Sequence, residues 1–349
     1  MDERLGELTD WVSEHIQAMG LKTPHPDVPL SVVSGDASFR RYFRGYGYEG
    51  HTERTFIVMD APPEKETSEA YVKIARALEA CDLSVPHIHA ANLDKGYLLL
   101  SDLGDELYLN HLNAASADHL YKMALEALLQ LQQCDSLISE LPSYNTSLLS
   151  AELHLFIEWF CDQLLHLSLD EQDQALIDKT FEKLIVSALA QPQVCVHRDY
   201  HSRNLMLTSE KSPGILDFQD AVKGPITYDL VSLLKDCYIS WPRDQVEQWV
   251  ISFANQLREK KWLTDISDEQ FLRWFDWMGI QRHLKVLGIF SRLNLRDHKP
   301  RYLNDIALVF DYVLDATMRY NEFSEFHEWL KNKIQPAWQT FCKREAINS

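Results

Sequence analysis

The 349-residue sequence predicts an α+β chain of two lobes, a small β-rich one followed by a large, mostly helical one. Three observations predict it. Before about residue 105, short alternating runs bounded by Gly, Pro, Asn and Asp read as strands. Beyond it, long stretches with apolar residues at helical spacing dominate. A strand–loop–strand–loop block at 194–220 is the one interruption of those helices. The expected lobes run over residues 1–103 and 104–349.

The elements follow in order. Leu5, Leu8, Val12, Ile16 and Met19 share one face of an opening helix, which the prolines of PHPDVP at 24–29 end. LSVV, FRRYFRGY and RTFIVM read as strands, with the turn SGDAS after the first. ETSEAYVKIARALEA, residues 66–80, has helical spacing. VPHIHAA leads through the turn NLDKG into the buried strand of GYLLLSDLGD. ADHLYKMALEALLQLQQ, AELHLFIEWFCDQLL and the chain after Tyr228 read as helices, with no internal repeat. A cleft between two such lobes is the default place for a ligand.

Composition narrows the function classes. A net charge of −18 argues against nucleic acid and against an anionic membrane surface, since both want clustered Lys and Arg. The six cysteines form no CxxC pair, which suits buried thiols in a reducing compartment. MDERLGELTDWV has no basic region before an apolar run, and no stretch approaches the roughly 20 apolar residues of a membrane span. The expectation is a cytoplasmic protein.

The chemistry concentrates in VHRDYHSRNLML and GILDFQD. Phosphoryl transfer needs a carboxylate to orient the attacking hydroxyl and oxygen ligands to hold Mg²⁺ on the phosphates. Asp199, on a loop after the apolar run QVCV, suits the base; Asn204 and Asp217 suit the metal. HRDYHSRN fits the pattern H-R-D-x-x-x-x-N at every defined position, and DFQ stands where DFG is expected. Either alone is weak; both in order are a strong signal. Two plainer readings compete. The loop could be a solvated turn capping a helix, or His197, Asp199 and His201 could bind a hydrolytic metal with His87 and His89. The second lacks a further well-spaced ligand set.

These residues resemble the aminoglycoside phosphotransferase and choline kinase branch of the protein-kinase-like fold. In DFQDAVKGPITYDLVSLL no long activation segment separates Asp217 from Asp229, which points to a small-molecule acceptor rather than a peptide. Asp229 matches the buried Asp of that branch that supports the catalytic loop with His197; a helix N-cap is its plainer role. SGDASFRRYFR, IVMDAPPEKE, QRHLKVLGIFSRL and KPRYL extend a closer resemblance, to the bacterial anomeric N-acetylmuramate/N-acetylglucosamine kinases of cell-wall recycling, over nearly the whole chain. That resemblance implies ATP, Mg²⁺ and an amino-sugar substrate phosphorylated at its anomeric hydroxyl. An aminoglycoside or choline kinase, or a nucleotide-binding module without catalysis, is the alternative. Oligomeric state stays open.

The pattern departs from kinases at the nucleotide. Ser34, Gly35, Ala37 and Ser38 are the expected phosphate loop, with a single glycine. Met59 stands where the phosphate-binding lysine belongs, so a nearby arginine is needed: Arg41 and Arg44, with Arg40, are the candidates, and Glu69 the partner. Strand alternation puts Arg41 on the opposite face from the other two. Ser101 and Leu103, in LLLSDLG, resemble the hinge that meets adenine through its main chain. His201 takes the position of the usual catalytic-loop lysine. Arg282, Arg292 and Arg301 are candidates for a bidentate contact to a sugar acid, joined by Asp220 as a substrate candidate. Trp274, Phe275, Trp277 and Met278 lie at helical spacing and read as core.

Overall fold

Alternation decides the sheet. In the computed structural model, which describes residues 3–23, 30–34, 39–209 and 211–345, five strands join into one antiparallel sheet. They are β1 (Ser31–Ser34), β2 (Arg41–Glu49), β3 (Thr52–Asp60), β4 (Ile88–Asn92) and β5 (Tyr97–Ser101), in the order β1-β2-β3-β5-β4. Phe43, Phe56, Val58, Tyr97 and Leu99 point to one face and bury against Leu8, Val12 and Ile16 of helix α1 (Glu3–Ala18). Gly47 permits that approach, since a Cβ there would stand 3.1 Å from both Ile16 Cγ2 and Leu21 Cδ1. The intervening residues, Tyr42, Met59 and Leu98 among them, belong to the other face.

Helix α2 (Glu69–Ala80) starts three residues later than its spacing suggests, after Ser68. Residues 66–68 lack an apolar face that would hold them in the first turn. Strands β6 (Gln193–Val196) and β9 (Val222–Pro225) pair with each other, as do β7 (Leu205–Met206) and β8 (Gly214–Ile215). The contacts divide the chain into two units, Met1–Leu107 with Leu205–Asp220, and Tyr108–Asn204 with Ala221–Ser349. The β7–β8 hairpin therefore groups with the sheet rather than with the helices that follow residue 104. Its main chain explains this: Leu207 N–H donates to Glu106 O and Ile215 N–H to Ser84 O, both at 2.7 Å.

The second unit is built from α3 (Ala117–Gln132), α4 (Thr146–Leu155), α5 (Glu171–Leu189), α6 (Tyr228–Leu234), α7 (Arg243–Glu259), α8 (Asp268–Leu295), α9 (Leu303–Met318) and α10 (Gln335–Arg344), with shorter turns between. The segment AELHLFIEWFCDQLL, expected as one α-helix, widens into a π-helix over Phe156–Leu164. Beside that junction Gly288 of α8 lies against the Leu155 backbone, so closely that a Cβ would collide with its carbonyl. Helix α8 is buried nearly all round, which is the mark of a central helix. Trp274, Phe275, Trp277 and Met278 are core, as their spacing predicts.

Among the described residues, no helix is long and apolar enough to cross a membrane. Cys161, Cys195, Cys237 and Cys342 are free and buried. Cys81 and Cys134 are not among the free thiols, a departure from the expectation for all six.

Candidate active site

The loop carrying Asp199 leaves β6 and is held at both ends by buried carboxylates. Asp229, in the first turn of α6, accepts the N–H of His197 at 2.6 Å and of Arg198 at 3.0 Å. Burial is the main influence on Asp229 and pushes its pKa up to about 7, while the two N–H donors pull the other way. Arg198 adopts a left-handed φ of 77°, a conformation that persists only where the surroundings enforce it. Its guanidinium donates to Glu152 of α4 at 2.5 Å. Glu152 also receives Lys285 of α8 at 2.9 Å and the Tyr144 hydroxyl, and Lys285 reaches the Tyr228 hydroxyl at 3.0 Å. At the loop's far end Asp236 accepts the Ser202 N–H at 3.0 Å and the Ser202 hydroxyl at 2.5 Å.

This frame sets the charge on Asp199. Burial alone would raise its pKa, but the fields of Lys285, His201, His197 and Arg282 together outweigh burial and hold it below the usual carboxylate value. Asp199 is thus an anion at neutral pH. His201 packs against Tyr238 in a T-shaped arrangement, with centroids 5.5 Å apart. Asn204 donates through its amide nitrogen to the Asp199 carbonyl at 3.0 Å, so its amide oxygen is the end suited to a cation.

Asp217 belongs to the sheet unit. It too has a positive φ, 63°, and Gln219 Nε2 donates to its Oδ1 at 2.9 Å. Phe218 is fully buried against Tyr71 of α2, with centroids 4.8 Å apart. Around Tyr42 on the Met59 face, Arg40, Asp217 and Glu66 all act on the phenol. Burial foremost, with Asp217 and Glu66 adding and Arg40 opposing, pushes it up to about 12. The other arginines are placed differently from the expectation. Arg41 lies on the α1 face, at 2.5 Å from Asp60, which also takes Arg4. Arg44 is engaged by Asp102 at 2.6 Å and Asp105 at 2.8 Å. Arg40 is therefore the arginine that shares Tyr42 with Asp217, and its acidic partner is Glu66 at 2.9 Å. Glu69 is exposed at the start of α2 and does not take that part.

Of the expected phosphate loop, Gly35, Ala37 and Ser38 lie outside the described residues, and Ser34 is described only as the last residue of β1. Ser101 N–H donates to His87 O at 2.9 Å, and its hydroxyl accepts the His87 N–H. The Ser101 N–H and hydroxyl are thus both engaged within the sheet unit.

The substrate candidates scatter. Asp220 closes the sheet unit's second segment. Arg282 is only 3% exposed and points Nη1 at Cys237 Sγ, 3.4 Å away, too deep for a carboxylate to reach. Arg292 is half-buried near Arg296, and Arg301 lies over Tyr302 in a groove of about 680 Å³ whose lining includes no residue of the catalytic loop. His87 pairs with Glu79 at 2.6 Å, and among the described residues no group of His, Cys, Asp and Glu is arranged to hold a metal by itself. Glu152, Lys285 and Asp236 give no signal in the sequence, because isolated charges on separate helices carry no motif.

A sheet unit, a helical unit and a carboxylate loop braced in this way define a phosphotransferase. The chain belongs to the phosphotransferase enzyme family (APH), whose model matches residues 29–275. It is 44% identical over 330 residues to an N-acetylmuramate/N-acetylglucosamine kinase of Pseudomonas putida, covering 94% of this chain and 96% of that protein. It is 42% identical over 343 residues to a protein of the same name from Pseudomonas aeruginosa, covering 96% and 98%. The fold matches that of an ADP-bound aminoglycoside phosphotransferase with a TM-score of 0.56 at 14% identity, over 88% of this chain and 97% of that one.

Proposed function

We propose that this protein is an ATP- and Mg²⁺-dependent kinase that phosphorylates the anomeric hydroxyl of N-acetylmuramate and N-acetylglucosamine, giving the sugar 1-phosphate. The observation that carries the chemistry is the ionised Asp199 on a loop braced by Asp229, Glu152 and Asp236. The acceptor class is supported by the near full-length relatives.

In this reading the acceptor hydroxyl donates a hydrogen bond to Asp199, and its oxygen attacks the γ-phosphorus in line. The bond to the β,γ-bridging oxygen breaks, ADP leaves, and the hydroxyl proton passes to Asp199. A loose transition state asks little basicity of the carboxylate, so a low pKa is no handicap, and positioning dominates. The anomeric hydroxyl is the most acidic on the sugar, because the ring oxygen withdraws electron density, which lowers the demand further. Asn204, through its amide oxygen, and Asp217 would hold Mg²⁺, which neutralises charge on the phosphate oxygens when bound. Arg40 supplies the cation that Met59 does not, and Asp102 and Leu103 offer the main chain that meets adenine. His201 orients the acceptor or the transferring phosphate.

The test uses the acceptor. The methyl glycoside of N-acetylglucosamine, which has no free anomeric hydroxyl, should not be phosphorylated, and the product from the free sugar should release phosphate in mild acid. A phosphorylated methyl glycoside or an acid-stable product would make this an ordinary hexosamine kinase.

A further inference from the structure

The acceptor in the proposed reaction comes in two forms, one neutral and one carrying a lactyl carboxylate, and the anion has no recognised partner in the site. Two of the three expected arginines are poorly placed for it: Arg282 is enclosed, and Arg301 lines a groove that includes no residue of the catalytic loop, while Arg292 shares its surroundings with Arg296, Asp297 and Glu158. A different arginine is better placed. Arg203 belongs to the catalytic loop itself, between Asp199 and Asn204. Its guanidinium carbon lies over the Tyr238 ring, 3.5 Å from the centroid. It makes no hydrogen bond or ion pair with another described residue; Asp305 is the acidic side chain whose field reaches it. Arg203 is half-buried as a residue, and a guanidinium held over a ring keeps its N–H donors at its edge, where a ligand can meet them.

The loop geometry ties this fork to the acceptor. The hydroxyl being phosphorylated must come within hydrogen-bond reach of Asp199. His201 and Arg203 follow Asp199 at alternate positions, and both contact the same ring: His201 at 79° to it, Arg203 over it. Tyr238 is itself anchored through its N–H to Asp236, the carboxylate that also holds Ser202. A sugar presented to Asp199 therefore meets a surface of His201, Tyr238 and Arg203, braced from behind by one buried acid.

From this geometry we infer that Arg203 is the residue that recognises the carboxylate of the acidic acceptor by a two-pronged contact, and so sets the preference for N-acetylmuramate over N-acetylglucosamine. The inference rests on the acceptor reading proposed above. Charge-assisted bidentate contacts of this kind are worth roughly ten- to a hundredfold in affinity.

The experiment is steady-state kinetics on the full chain with N-acetylmuramate, its methyl ester and N-acetylglucosamine. For Arg203→Met the ratio of kcat/KM for N-acetylmuramate to that for N-acetylglucosamine should fall about tenfold or more, mostly through KM. The advantage of the acid over its methyl ester should disappear with it. Arg203→Lys, which keeps the charge but not the fork, should recover only part of the ratio. Equal losses on both sugars, or a ratio that does not move, would overturn the assignment and leave Arg203 a brace for Tyr238. A wild-type protein that turns over neither sugar would instead overturn the acceptor reading, and this inference with it. Matching thermal midpoints for wild type and variants keep a folding defect from imitating either result.

Discussion

Charges are handled differently around the catalytic loop of the helical unit and at the exposed pairs of the sheet unit. In the sheet unit, Arg44 meets Asp105, whose side chain is 70% exposed, and Arg54 meets Glu49 with both partners largely in solvent. In the helical unit, Glu152 is 5% exposed and gathers Arg198, Lys285 and the Tyr144 hydroxyl around one carboxylate. Solvent screens the first kind of pair, so its loss costs little. The second kind sits where an orphaned charge has nowhere to be solvated, so each member depends on the others. The helical unit thus braces its catalytic loop with buried charges, whereas the sheet unit has a buried cluster at Asp60, with Arg4 and Arg41, and leaves the pairs at Asp105 and Glu49 to solvent.

The sharpest way to break this contrast is Glu152→Ala. It strands Arg198 and Lys285 and should cost about 3–5 kcal/mol in denaturant unfolding, the usual scale for breaking a buried pair. A loss under about 1 kcal/mol would mean the two units do not differ as described. The gentler Glu152→Gln carries a pH signature. Burial works to raise the Glu152 pKa, but Lys285 and Arg198 outweigh it and leave it lowered. Its ionised form therefore stabilises fully above the ordinary value of 4.5, and that contribution is lost as pH falls through the lower folded value. The stability gap between wild type and Glu152→Gln should narrow in acid.

Next in size is Asp199→Asn, which should lower kcat by about 10²-fold or more while leaving the unfolding midpoint and nucleotide binding in place. Near-normal turnover would remove Asp199 from its role. A related measurement isolates the electrostatic frame. Burial raises the Asp199 pKa, and Lys285 is the largest of the influences lowering it, so Lys285→Met should move the acid limb of kcat/KM to higher pH. An acid limb that stays put would show that Lys285 serves only Glu152.

The smallest effect belongs to the sheet unit. Asp105→Ala should change stability by no more than about 1 kcal/mol, because the carboxylate it removes is mostly solvated. A loss comparable to that of Glu152→Ala would erase the distinction from the other side.

Much of this molecule is legible in its sequence, and the legible parts share a cause. Strand alternation over residues 41–60 tells which side chains share a face, and it is enough to separate Arg41 from Arg40 and Arg44. The placement of Asp199, Asn204 and Asp217 is equally local, since each adjoins a short apolar run that must pass into a loop. What alternation does not tell is which face meets α1 and which meets Tyr71. Nor does it tell that Arg41, expected as a phosphate-side cation, is tied by the fold to Asp60.

Periodicity and short-range spacing suffice for the α+β class, the order of sheet and helices, the carboxylate loop and the phosphotransferase chemistry it implies. Each rests on residues a few places apart, which a linear chain records directly. It took the packing of the helices to bring Glu152 and Lys285 together over Arg198, to set Asp236 against Ser202, and to lay Arg203 on Tyr238. Such meetings join segments far apart in the chain and depend on how α4, α6 and α8 pack. A single buried charge has no repeat to announce it; its meaning comes from the partner that folding brings alongside.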